Sequence, residues 1–197
     1  MARAFIALEL PKEVIEEIKK IQKLIWKKTL FTGKLTGGEN LHLTLKFLGE
    51  IDDDKLNLVK KRLSEIKIEN FYCEIGEVGV FSKNIIRIIW IKLNGKGIFQ
   101  LQKLIDEVLS KPQTFALRGK SSSDEKLSDL FKKEERFMSH ITIARVKKVG
   151  DKKGLIDYLA SIKPKKLKFF VKNFVLKKSE LLPEGPVYED IEEYGLD

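Results

Sequence analysis

The chain has 197 residues, with 38 basic and 29 acidic side chains, a formal charge of +9 and 43% hydrophobic residues. That length suits one domain with a substantial core, and the apolar fraction excludes a wholly disordered chain. The single cysteine, Cys73, excludes an intrachain disulfide and a cysteine cage for zinc. The longest uncharged stretch, Phe137 to Ala144, falls far short of the ~20 residues of a membrane-spanning helix, so a cytoplasmic protein is expected.

In chain order, Ala4 to Leu10 reads as a short buried strand, and Pro11 suits the first turn of a helix. Val14, Ile15, Ile18, Ile21 and Ile25 recur at helical spacing, which predicts an amphipathic helix over 12–28. Gly33, Gly37 and Gly38 predict a loop, and Leu41 to Leu48 then alternates as a strand. Asp52 to Asp54 can cap a helix carrying Leu56, Val59, Leu63 and Ile66. Phe71 to Phe81 and Ile85 to Leu93 predict strands, and Ile98 to Leu109 a helix. Residues 110–136 are polar and read as a loop with a short helix near 124–133. Phe137 to Val146 predicts a strand, Leu155 to Ile162 a helix, and Leu167 to Leu176 one further strand. Interspersed strands and helices with hairpin-linked neighbours predict an α+β fold.

Charge is unevenly placed. Between Lys147 and Lys178 stand eleven lysines against Asp151 and Asp157, and the chain from Ser179 onward has seven acids and no base. A strip of this kind attracts a polyanion, or is simply a solvated face. Gly119-Lys120-Ser121 lacks the upstream glycine of a phosphate-binding loop, and Cys73 reads as a buried thiol.

Both histidines fall in one four-residue frame, His42-Leu43-Thr44-Leu45 and His140-Ile141-Thr142-Ile143, half a chain length apart. Alternation puts His42 and Thr44 on one strand face, with Leu43, Leu45 and Phe47 behind, and likewise His140 and Thr142. A lone histidine beside a threonine is commonly structural. A repeated tetrad that uses every histidine in the chain points instead to two half-repeats sharing a cleft. Two imidazoles can act as acid and base, and two threonine hydroxyls can hold the oxygens of a phosphate between them. No carboxylate or cysteine cluster suggests a metal, and neither metal nor cofactor is expected.

With these motifs the sequence resembles the 2H phosphoesterase superfamily, and within it the bacterial and archaeal RNA 2′,3′-cyclic phosphodiesterases, also called 2′-5′ RNA ligases. The resemblance rests on Arg3-Ala4-Phe5-Ile6-Ala7-Leu8, the segment Glu39 to Gly49, and Gly79-Val80-Phe81 with Arg87 and Trp90. It extends to Ser139 through Arg145 and to Gly185-Pro186-Val187-Tyr188. Ser139 departs from the family's usual proline, and the 110–136 segment is long. The resemblance implies a bilobal fold with two antiparallel sheets facing a central cleft and helices outside. The whole chain, 1–197, would be one domain of two half-repeats, about 1–82 and 83–197, with strands free to cross between lobes.

It also implies hydrolysis of an RNA 2′,3′-cyclic phosphate end to a 2′-phosphate by a monomeric enzyme that binds no membrane. His42 would protonate the leaving 3′ oxygen and His140 would accept the proton of the attacking water. Thr44 and Thr142 would bind phosphate, and the reverse direction would give ATP-independent 2′-5′ ligation. Alternatives are a small cyclic nucleotide or 2′-5′ oligoadenylate as substrate, or a non-catalytic RNA-binding module. Lys46 shares the face of His42 and reads as a solvated rim lysine, and Arg145, at an odd offset from His140, should point away. Phe5 and Tyr188 are candidates to stack on a base, with core packing the simpler role for Phe5.

Overall fold

The computed structural model describes residues 2–111, 136–183 and 185–197. The helix expected near 124–133 lies outside the described residues. Among the described residues the order is β1 (Ala2–Glu9), α1 (Lys12–Lys27), β2 (Phe31–Leu35), a 3₁₀ turn (Gly38–Asn40), β3 (His42–Ile51), α2 (Asp53–Leu63), β4 (Phe71–Val80) and β5 (Ile88–Asn94). There follow α3 (Lys96–Ser110), β6 (His140–Val149), α4 (Lys152–Ser161), β7 (Lys168–Val171), β8 (Asn173–Leu182) and β9 (Gly185–Gly195).

The α+β expectation holds. The strands run in the order β7-β4-β5-β6-β3-β1-β8-β9, with β2 also on β6, and every pairing is antiparallel. The two expected sheets are two arms of one curled sheet. β9-β8-β1-β3 and β6-β5-β4-β7 are joined by a single residue pair, Leu43↔Ile141, one position after each histidine.

Helices form where the apolar spacing predicts. Val14, Ile18, Ile21 and Ile25 of α1 are buried, and Pro11 stands one position before the helix, its carbonyl accepting from Val14 and Ile15. The Asp52 carboxylate caps α2 by accepting from Lys55 N–H (2.8 Å), and Asp151 caps α4 through Gly154 N–H (2.9 Å).

Three strand expectations are corrected. The segment read as a loop around Gly33 includes β2, and Gly33 sits at its bulge against β6. A Cβ there would overlap the Arg145 carbonyl oxygen, so the glycine permits close strand approach. The single strand expected over 167–176 is two: β7 pairs with β4, while β8 pairs with β1, so the chain changes arms at Lys172. The terminal acidic segment is β9, paired with β8. Its acids meet basic partners, Glu189 with Lys178, Asp190 with Lys177 and Glu192 with Lys60.

The candidate active site

His42 and Thr44 on β3, and His140 and Thr142 on β6, line one cleft of about 1060 Å³. The four residues expected from the sequence are therefore brought together. Each ring meets the backbone carbonyl two residues before it: Asn40 O lies 2.9 Å from His42 Nδ1, and Met138 O 2.7 Å from His140 Nδ1. A carbonyl only accepts, so Nδ1 carries the proton in both rings and Nε2 is left as the exchangeable nitrogen. His42 Nε2 lies 3.1 Å from Thr44 Oγ1. With the ring neutral, the hydroxyl donates there.

Both carbonyls are anchored by a polar side chain nearby. Asn40 Nδ2 donates to Pro186 O on β9 (3.1 Å), and buried Ser139 donates to Leu93 O on β5 (2.6 Å). Ser139 thus fastens the start of β6 to β5. Aromatic rings then pack on each imidazole. Phe5 and the edge of Tyr188 lie 4.9 and 5.2 Å from His42, and Phe81 meets His140 edge-on at 4.8 Å. Phe5 is buried, so its default core role holds, while Tyr188 lines the cleft.

Burial pushes the His42 pKa down to about 4, helped by Lys177 and His140, against the opposing hydrogen bond to Asn40. His42 is therefore neutral near pH 7. Burial raises the Tyr188 hydroxyl, and the guanidinium groups of Arg145 and Arg3 oppose that rise.

Three residues lie elsewhere than alternation predicts, for one physical reason. Ala7 pairs with Thr44 and Ile6 with Lys46, which leaves Leu45 as an extra residue; on β6, Trp90 pairs with Thr142 and Ile89 with Ala144, leaving Ile143 extra. A bulge at the same offset from each histidine reverses the parity of the later residues in each strand. Lys46 turns inward, buried against Asp106 of α3, where Gln102 also donates to the carboxylate (2.8 Å). Phe47 turns out, 69% exposed, and lines the cleft together with Arg145. In β6 the adjacent apolar pair Ile143-Ala144 is the signal that could have revealed this.

The charge around the cleft also differs from expectation. Lys34, Lys46, Arg136 and Arg145 line it with Glu39, and none of the lysines from Lys147 to Lys178 does. Lys177 of that strip is buried and paired with Glu9 (2.7 Å) and Asp190, and Lys153 with Asp157 (2.6 Å). Among the described residues no group of three or more His, Cys, Asp or Glu is placed to hold a metal ion, and no helix is long and apolar enough to cross a membrane.

A curled antiparallel sheet that presents two H-φ-T-φ strands to one cleft defines a two-histidine phosphoesterase. The chain belongs to the LigT-like phosphoesterase family, whose profile matches residues 8–90 and 100–188. It is 36% identical over 195 residues to the RNA 2′,3′-cyclic phosphodiesterase of Methanocaldococcus jannaschii, covering 98% of this chain and 99% of that one. It is 30% identical over 191 residues to the Archaeoglobus fulgidus protein of the same name, covering 96% and 97%. A crystal structure from Thermus thermophilus superposes with a TM-score of 0.76 at 25% identity, covering 98% of this chain and 97% of that one.

Proposed function

We propose that this chain is a monomeric RNA 2′,3′-cyclic phosphodiesterase that leaves a 2′-phosphate and, with an RNA 5′-hydroxyl in place of water, acts as an ATP-independent 2′-5′ ligase. The observation that carries the reading is the pair of imidazoles on one cleft, each with Nδ1 held by the carbonyl two residues before it. The names of the archaeal relatives supply the substrate class. A cleft of about 1060 Å³ admits an RNA end or a small cyclic nucleotide, so the choice of RNA rests on the names of these relatives.

In this reading His140 Nε2 takes a proton from water as it attacks phosphorus, and His42 gives one to the departing 3′ oxygen. The threonine hydroxyls hold the non-bridging oxygens, with Thr44 turning from His42 to the phosphate. Acid and base each contribute roughly 10²- to 10⁴-fold in rate. Because both proton transfers are assigned to imidazoles, the mechanism calls for no metal. The acid role requires a protonated His42, and the negative charge of the bound phosphate favours that imidazolium. The two tetrad strands are the centres of two half-repeats, about 1–82 and 83–197, whose strands cross between arms.

The decisive experiment incubates the protein with RNA ending in a 2′,3′-cyclic phosphate and identifies the hydroxyl that keeps the phosphate. A 2′-phosphate is expected; a 3′-phosphate, or an unchanged end, would overturn the reading. Faster turnover of a mononucleotide cyclic phosphate would favour the small-nucleotide alternative.

A further inference from the structure

The sheet face that carries His140 continues away from the cleft to a second group of side chains. Lys92 pairs with His140 across β5 and β6, and Asn94, on the same face of β5, pairs with Glu74 of β4. Tyr72 shares the face of Glu74 and pairs directly with Phe170 of β7, the last strand of this arm. Their rings lie 4.8 Å apart and are 56% and 40% exposed, while Cys73 and Phe169 beside them are buried on the opposite face. Lys168 Nζ stands 4.4 Å from the Tyr72 ring centroid, and Lys166 and Lys172 are exposed on either side of β7. Of the acids on this face, Glu77 is paired with Lys92 (3.1 Å) and Glu74 stands opposite Lys168 in register. From His140 to Phe170 the path crosses three strand spacings, about 14 Å at 4.7–4.9 Å each, and advances four residues along the strands, about 13 Å more, so the two stand roughly 20 Å apart. A few nucleotides of single strand cover that distance.

Exposed rings flanked by lysines suit single-stranded nucleic acid, because bases stack on the rings and ammonium groups neutralise phosphates. We propose that the Tyr72–Phe170 face with Lys168 binds the 5′-hydroxyl RNA strand that acts as nucleophile in the ligation direction. This rests on the proposed function, in which His140 is the base facing the nucleophile. The 5′-hydroxyl gives its proton to His140 Nε2, the bond from 5′ oxygen to phosphorus forms, the bond to the 3′ oxygen breaks, and that oxygen takes the proton of His42. The product is a 2′-5′ phosphodiester with a free 3′-hydroxyl, and no further reactant is consumed. Water needs no such platform, so it serves ligation and not hydrolysis.

The test measures binding of a 3′-labelled single-stranded RNA with a 5′-hydroxyl end by fluorescence anisotropy, together with its ligation to a cyclic-phosphate donor. Tyr72→Ala/Phe170→Ala and, separately, Lys168→Glu should weaken binding fivefold or more and lower ligation at subsaturating strand to match. Hydrolysis of a mononucleotide 2′,3′-cyclic phosphate should keep wild-type kcat and KM in both, which also reports that they fold. Hydrolysis with unchanged RNA binding and ligation, or a wild type that hydrolyses without forming any 2′-5′ product, overturns the platform alone. A wild-type dimer that these substitutions split would assign the face to a second copy of the chain and overturn it too. Absence of hydrolysis by the wild type overturns the proposed function and the platform with it.

Discussion

Leu43 and Ile141, both fully buried, form the one residue pair that joins the two arms of the sheet. Each lies between the histidine and the threonine of its own tetrad. The joint that closes the sheet therefore also sets the spacing of the two imidazoles across the cleft. Truncation at this point, Leu43→Ala, should cost about 2–5 kcal/mol by leaving a cavity. It should lower kcat as well, checked by chemical denaturation and steady-state kinetics. Wild-type kcat in a destabilised variant would show that the joint does not position the histidines.

Removal of either imidazole should stop catalysis and leave the fold intact. His42→Ala and His140→Ala are each expected to lose turnover by at least the roughly 10²-fold that one acid or base provides, with a thermal midpoint close to wild type. Normal turnover in either variant would refute the acid–base pair.

His42 should titrate near pH 4 in the free protein, followed by NMR of its ring, and inorganic phosphate should raise that midpoint. An anion beside the ring favours the imidazolium, so a fall would contradict phosphate binding between the rings. The unfolded chain binds this proton near pH 6.5 and the folded chain only near pH 4. Between those values the unfolded state holds more protons, so stability declines as pH drops, by on the order of 3 kcal/mol in full. His42→Gln should remove that part of the pH dependence.

Lys46→Met should destabilise by about 3–5 kcal/mol, because it removes the buried ammonium that pairs with the buried Asp106 carboxylate. Adding Asp106→Leu should restore much of the loss. A solvated rim lysine would show neither effect in urea unfolding.

Hydrolysis should persist in EDTA with unchanged kcat. Loss that a divalent ion restores would refute proton transfer by imidazole alone.

Local pattern made much of this protein legible. Spacing of Val14, Ile18, Ile21 and Ile25 placed α1, Asp52 marked the start of α2, and the repeated tetrad singled out the four residues that line the cleft. These features depend on neighbours a few positions apart, which sequence records directly. Strand pairing is not local. Leu167 to Leu176 reads as one run, and only its partners, β4 for one half and β1 for the other, divide it.

The same limit applies at single residues. A one-residue bulge in each tetrad strand brings Arg145 to the cleft, exposes Phe47 and buries Lys46 against Asp106, against the alternation of an ideal strand. The depressed pKa of His42 likewise follows from its burial, with Phe5 and Tyr188 packed on the ring. The sequence by itself determined which four side chains meet at the cleft, through residue type and short-range period. The tertiary structure decided which of their neighbours face it and how it is charged, because register, bulges and burial arise only when distant strands meet.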